Sequence, residues 1–476
     1  MKSSRSYLFA LTVCLGVSGC VVETANQGNR NASASPSPSA TVSPSASPAD
    51  KASSSQSLTL PVLDAFFAEE SFAGTLKTRL QLTDELVTKL KDLAHSETAK
   101  LNEENAGQGE RESSTARATA TEKIGALIGP EKTQQLAQLV GELWSGAAEE
   151  GSDKATNTNS RDKAAGTPNT IPKDSRIVVN TPAYRMDVFD GGRLIKSYKV
   201  GIGYPEFPLP TGLRHARVII FNPTWTPPDE PWVAKMKNIS AGQKVAAGSK
   251  LNPLGPIKVP IGGPSLIHGG KSPAKLGTFA SHGCVGLTTP QMQGFTKLLA
   301  QLGGAQLTDT ELADYARNKT ETKQIKLERQ IPVELRYETI VVEDGKLHIY
   351  RDVYDQETNT EENLRAVLEA NGVRFDDLTE GERTQVLDAL AQMSDKSVAG
   401  TKSKESPSPN AAVRSSSFAD RRSNSKAKTA VAKNQKEIVI EIGALQGKGY
   451  PSPVALDTGS GKTPAMISTP PKREKR

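Results

Sequence analysis

Apolar side chains are scarce for a chain of this length. Hydrophobic residues make up 36% and aromatic residues 5% of the 476 positions. Such a composition cannot bury enough apolar surface to pack the whole chain into folded domains. The net charge of +6 is also unevenly distributed, because residues 397–436 hold nine Lys or Arg against two acidic residues and residues 461–476 hold five against one. The sequence therefore predicts folded modules separated by polar linkers, with the basicity confined to tails.

Long apolar runs are also lacking. The run at residues 7–17 is too short to span a bilayer as a helix, and Lys2 and Arg5 precede it, which is typical of an export signal. Small residues stand directly before Cys20, so this stretch resembles a bacterial lipobox, in which the cysteine is lipidated. The alternative is an ordinary secretory signal in which Cys20 is incidental. By the same resemblance, Val21 after the cysteine, rather than Asp, favours the outer membrane over the inner membrane.

Cysteine is the rarest of the reactive residue types, with three in the chain. If Cys14 leaves with the signal and Cys20 carries lipid, Cys284 is the one thiol of the mature chain. That arrangement excludes an intramolecular disulfide. In an oxidising compartment a lone thiol is exposed to oxidation, so its presence there favours a chemical use.

Changes in composition and periodicity predict seven segments. Residues 58–148 have apolar positions at helical spacing, with Thr83 as a helix start, and predict two or three helices. The segments are a lipoprotein signal peptide (1–20), a disordered Ser/Pro/Ala tether (21–57), a helical module (58–148), a linker (149–170), a catalytic domain (171–355), a helical hairpin (356–395) and a mostly disordered basic tail (396–476).

The segment from residue 171 has a strand-like pattern. Residues 176–180, 184–189 and 194–200 are rich in β-branched and aromatic residues, and a Gly-Gly turn separates the last two. Thr289-Pro290 is predicted to start a helix, with the proline in its first turn and glycines after its last apolar residue. The fold class predicted for this domain is mainly β, flanked by α-helical segments and disordered linkers.

A histidine and the thiol stand sixteen positions apart within this domain. His268 follows an apolar run that reads as a strand, and Cys284 follows on a glycine-turned segment, Ser281-His282-Gly283-Cys284. A thiol with a pKa of about 8.5 needs a base or a thiolate–imidazolium pair to react at neutral pH. Both side chains can line one cleft, which predicts a cysteine nucleophile with a base beside it. His282 competes with His268 for that role.

The order His-Gly and then Ser-His-Gly-Cys resembles the signature of the L,D-transpeptidase catalytic domain family. Further landmarks at 209–212, 222–228 and 252–255 extend the resemblance over about 170–355. It implies a β-sandwich or barrel with short helices, no metal or organic cofactor, and acyl transfer on peptidoglycan stem peptides. The resemblance also implies the following roles: Cys284 as nucleophile, His268 as general base, the carbonyl of Gly269 orienting His268, the amides of His282 and Gly283 binding the oxyanion, and Ser281 as support.

One position departs from the family pattern. Where the family usually has arginine two positions after the cysteine, this chain has Gly286. A guanidinium could bind a substrate carboxylate, so its loss puts the mode of substrate binding in question. Lys271 and Lys275 could supply the charge instead, or they could be solvated loop residues.

The expected activity is thioester-mediated cross-linking by an exported, lipid-anchored enzyme that faces the periplasm. Hydrolysis of the same peptides, as an L,D-carboxypeptidase or amidase, is the alternative within the enzyme class. A wall-binding lipoprotein with a degenerate site is the alternative outside it. The expected partners are peptidoglycan peptides and a membrane reached through the anchor. Nucleic acid is not expected, and protein partners are left open.

Overall fold

The computed structural model describes residues 58–101, 113–145, 167–228, 233, 236–394 and 435–460. The predicted signal peptide, Cys20, the tether, most of the linker and most of the basic tail lie outside these ranges. The described residues all belong to one compact unit, Ser47–Arg476. Within them, no helix combines the length and the apolar character needed to cross a bilayer.

Thirteen strands occur in the described part of the chain, and eight of them form one sheet with the order β3-β2-β1-β10-β5-β6-β7-β9. Pairing in this sheet is antiparallel except for β1 with β10 and β7 with β9. The strands are β1 Arg176–Asn180, β2 Arg185–Asp190, β3 Arg193–Lys199, β4 Ile202–Gly203, β5 Gly212–Phe221, β6 Ile257–Pro260, β7 Leu266–His268, β8 Phe279–Ser281, β9 Val285–Gly286, β10 Lys323–Arg336, β11 Ile340–Glu343, β12 Lys346–Tyr350 and β13 Glu437–Glu441. The predicted mainly β class with flanking helices is confirmed.

Five helices occupy the described part of the N-terminal module, where two or three were predicted. The difference arises because the breaks after Leu80 and Ile128 are three residues and one residue long, so the apolar periodicity continues through them. Thr83 caps the third helix as predicted, accepting a hydrogen bond from the amide of Leu86. The helices are α1 Leu60–Phe67, α2 Glu70–Leu80, α3 Asp84–Thr98, α4 Ser113–Ile128 and α5 Pro130–Ser145.

This helical module is fixed to the β domain by buried hydrogen bonds. The hydroxyl of Thr59 donates to the carbonyl oxygen of Glu206 at 2.6 Å. The indole Nε1 of Trp144 donates to Oγ of Ser265 at 3.1 Å, and both side chains are buried. Because these groups have left water, each hydrogen bond favours the docked arrangement over a separated one.

Trp144→Phe is expected to lower the free energy of unfolding by about 1–2 kcal/mol, because Phe keeps most of the ring but removes the donor. A double-mutant cycle with Ser265→Ala measures the hydrogen bond itself, and we expect a coupling energy of about 1 kcal/mol in urea unfolding of the full chain. If the double variant loses only the sum of the two single losses in unfolding free energy, the hydrogen bond between the module and the domain is contradicted.

Four further helices have bounds within the described ranges: α6 Thr289–Leu302, α7 Asp309–Arg317, α8 Glu361–Ala370 and α9 Glu380–Ser394. Helix α6 covers the large sheet with Met292, Phe295 and Leu299, all fully buried. Its start is the predicted one, since Thr288 and Gln291 form a capping box. Helices α8 and α9 pack on β11, β12 and β13.

The described C-terminal residues 435–460 complete a three-stranded sheet with β11 and β12 and also pack on the large sheet. Strand β13 pairs with β12, and the chain then follows the edge strand β3, where the amide of Ser197 donates to Val454 and that of Lys199 to Asp457, each at 2.9 Å. These bonds satisfy backbone groups that an exposed sheet edge would leave open. Gly459 then lies against Leu276, in the loop between His268 and Cys284.

Candidate active site

Three adjacent strands bring one row of residues to the cleft. His268 on β7 pairs with Lys258 on β6 and with Gly286 on β9. Residues paired across a sheet point to the same face, while their neighbours point to the other. Ile267 is fully buried in the core on that other face. The register therefore places Lys258, His268 and Gly286 side by side.

A backbone carbonyl orients the imidazole of His268. Its Nδ1 lies 2.8 Å from the carbonyl oxygen of Gly269, the atom that the sequence resemblance assigned to orient it. A carbonyl oxygen only accepts, so the proton is on Nδ1 and the lone pair is on Nε2. Nε2 is thus the nitrogen able to take a proton. The assignment of His268 as general base remains a prediction, and this geometry is compatible with it.

Cys284 is a partly exposed cysteine on a short turn and belongs to no disulfide. The hydroxyl of Ser281 donates to the carbonyl oxygen of Cys284 at 2.6 Å and accepts from its amide at 3.0 Å. Gly283 has φ +88°, a left-handed conformation that glycine adopts without strain. Ser281 thus holds both backbone groups of Cys284, and the oxyanion role of the amides of His282 and Gly283 remains a prediction.

His282 is part of an aromatic wall that the sequence did not predict. Its ring packs edge-on against Phe207 at 4.8 Å and Tyr204 at 5.4 Å between centroids. Both aromatic residues also contact Leu101, at the end of the described part of the helical module before α4. Burial, assisted by the charge of Lys271, lowers the pKa of His282 to about 4. His282 is therefore neutral and held by packing, as expected of a residue that shapes the cleft.

Burial also sets the charge state of His268. It lowers the pKa of the imidazole to about 3, and the positive charge of Lys271 acts in the same direction. Burial lowers the pKa of Lys258. Cys284 is close to this lysine, and the charge of a thiolate there would raise the lysine pKa again. The resting site thus holds a neutral imidazole, which favours a general base over a preformed thiolate–imidazolium pair.

From this charge state we predict that acylation of Cys284 is insensitive to mild acid. Because the pKa of His268 is lowered, its imidazole stays neutral as pH falls through 6.5 and is protonated only near pH 3. We expect the rate of acylation to be flat between about pH 5 and 7, measured by stopped-flow mixing with an acylating β-lactam. An acid limb with a midpoint between pH 6 and 7 would contradict the buried, neutral base.

Lys258, Tyr204 and Phe207 are the site residues that sequence reasoning missed. Lys258 had a readable signal, since it interrupts the apolar residues Ile257 and Val259 at the alternate position of a strand. The two aromatic residues lie in a Gly- and Pro-rich stretch without periodicity. Among the described residues, no three His, Cys, Asp or Glu side chains are grouped so that they could hold a metal ion.

Comparison with known proteins points to one family. The family model of the L,D-transpeptidase catalytic domain matches residues 174–304, which include His268 and Cys284. No curated protein matches the chain. Solved structures that are similar include an L,D-transpeptidase from Mycobacterium smegmatis, at 15% identity over 34% of this chain and 58% of that one, with a TM-score of 0.20. The catalytic domain of an E. faecium L,D-transpeptidase gives 14% identity, 35% and 98% coverage and a TM-score of 0.23. The chain thus spans less than two thirds of the length of the M. smegmatis protein.

Proposed function

We propose that this chain is an exported L,D-transpeptidase, a cysteine acyltransferase that cross-links peptidoglycan stem peptides. The observation that carries the proposal is that His268, whose Nδ1 contacts the carbonyl oxygen of Gly269, lies on a strand paired with β9, the strand that directly follows Cys284. The family match over residues 174–304 supports the same chemistry.

The reaction follows from the side chains in the cleft. His268 takes the proton of Cys284 through Nε2 as the sulfur attacks a peptide carbonyl, and the amides of His282 and Gly283 stabilise the oxyanion. His268 then gives the proton to the departing amine, which leaves a thioester on Cys284. The amine of a second stem peptide attacks that thioester after His268 removes its proton, and the new amide bond releases the thiol.

The proposed location follows from the N-terminal sequence. Lipidation at Cys20 would anchor the chain in the envelope facing the periplasm, with the outer membrane favoured by Val21. The Ser/Pro/Ala tether of residues 21–57 would let the catalytic domain reach wall peptides away from the membrane. This placement brings the enzyme to its proposed substrate without a further partner.

The test is acylation of Cys284 by a carbapenem. An activated thiol opens the strained β-lactam ring and keeps all of its atoms, so peptide mapping of the full chain should find the intact adduct on the Cys284 peptide. A Cys284→Ala chain is the matched control and should carry no adduct on that peptide. An unmodified Cys284 after prolonged exposure would oppose the enzyme and favour a wall-binding protein with a degenerate site.

A further inference from the structure

The side chain of Lys271 packs directly against Gly286. A Cβ atom added at Gly286 would stand 2.8 Å from Cγ and 2.9 Å from Cε of Lys271, closer than side chains approach one another. The absence of a side chain at position 286 is therefore what lets the lysine stem lie there. The ammonium of Lys271 donates to the carbonyl oxygen of Ala280 at 2.7 Å, directly before the turn that carries Cys284.

His268 consequently has a lysine on each side. On one side, Lys258 pairs with His268 from β6. On the other side, Gly286 pairs with His268 from β9, and the side chain of Lys271 covers Gly286. The loop lysine Lys275, in contrast, is exposed to solvent in the turn after Lys271. Two ammonium groups beside a neutral imidazole give this part of the cleft a positive potential, which attracts an anionic ligand.

We propose that Lys271, seated on Gly286, recognises a carboxylate of the peptide substrate and draws it to the cleft beside Cys284. This role deepens the peptide acyl transfer proposed above and rests on it. A lysine ammonium suits the task as a compact point charge on a flexible stem. Lys258 supplies a second positive charge on the opposite side of His268. The carboxylate would enter on the β9 side of the row, because Lys271 lies there.

The charge can be measured without turnover. Iodoacetate and iodoacetamide alkylate the same thiolate and differ in charge, so the ratio of their rates at Cys284 reports the local potential and cancels changes in the thiol pKa. We expect Lys271→Met to lower the iodoacetate-to-iodoacetamide ratio about three- to tenfold, as removal of one nearby charge at a protein surface implies. Lys271→Arg should keep the ratio, and Lys275→Met, the matched control, should leave it unchanged. Peptide mapping of the full chain separates Cys284 from the other cysteines.

Moving the positive charge from position 271 to position 286 tests whether the two side chains share one space. In the Lys271→Ala, Gly286→Arg double variant, the guanidinium occupies the space that the lysine stem has left, and the ratio should return towards that of the unaltered chain. Gly286→Arg alone should lower alkylation by both reagents, since the two side chains compete for one space. A Lys271→Met ratio equal to that of the unaltered chain, or an equal loss in Lys275→Met, would overturn the proposal.

A peptide assay separates this inference from the proposed function. With tetrapeptide substrates ending in a free carboxylate or in a carboxamide, Lys271→Met should raise KM for the carboxylate form by about the same factor and leave the carboxamide form unchanged. Equal effects on both forms would contradict carboxylate recognition. If the unaltered chain turns over neither peptide, the proposed function fails, while the alkylation ratio still decides whether Lys271 attracts an anion.

Discussion

Replacing Cys284 with serine is expected to lower peptide acyl transfer by at least about a thousandfold. The neutral imidazole of His268 can take a thiol proton as the sulfur attacks. A serine hydroxyl is far less acidic, so the same imidazole removes its proton much less readily. The fold should not change, because the contacts of Ser281 reach the backbone of Cys284 and not its sulfur. The measurement is the rate of product formation by mass spectrometry, beside urea unfolding of both chains.

The control for this change is Cys20→Ser. It removes the predicted lipid attachment and should leave acyl transfer by the detergent-solubilised chain intact. A Cys284→Ser chain that retains more than about a tenth of the activity would show that another group performs the attack. A loss of stability larger than about 1 kcal/mol in the same chain would mean that the activity measurement reports unfolding.

His268→Gln is expected to reduce the rate of Cys284 acylation at pH 7 by about 10²–10⁴-fold. Glutamine can still donate to the carbonyl oxygen of Gly269, so the local structure is kept, but it has no nitrogen lone pair that accepts a proton. The rate is measured with the same carbapenem, following the adduct over time. His215→Gln changes a histidine of β5 outside the site and should retain the full rate.

The pH dependence of His268→Gln distinguishes a lost base from a damaged cleft. Above about pH 9, hydroxide ionises the thiol without help, so the variant should regain most of its deficit relative to the unaltered chain. A deficit that stays constant up to pH 10 would mean that His268 supports the structure of the cleft and does not act as the base.

The turn that carries Cys284, the first three strands and the start of α6 could be predicted from the sequence. Runs of β-branched and aromatic residues predicted β1, β2 and β3 within a residue or so of their bounds, and Thr289-Pro290 predicted the start of α6. These signals are local, since each depends on residues within one turn or one strand. The pairing of His268 with Gly269 came from the resemblance, and the structure has the corresponding contact.

The packing of distant segments could not be read. Trp144 and Ser265 are 121 residues apart, and the apolar face of a helix does not name the surface that will cover it. Residues 450–459 have no periodicity because they satisfy the edge of β3 with their backbone. Lys271 and Lys275 were equivalent in the sequence. They differ because the strand register puts Gly286 under one of them.

The most direct test of the account is mass spectrometry of tetrapeptide muropeptides incubated with the full chain in detergent, beside the Cys284→Ala chain. We predict cross-linked dimers that are absent with Cys284→Ala. The mass of each dimer should be that of two substrates minus the one terminal amino acid that is released. Trimmed monomers without dimers, in the presence of a broad set of acceptor amines, would contradict transpeptidation and indicate hydrolysis. Untouched substrate with both chains would contradict the catalytic account altogether.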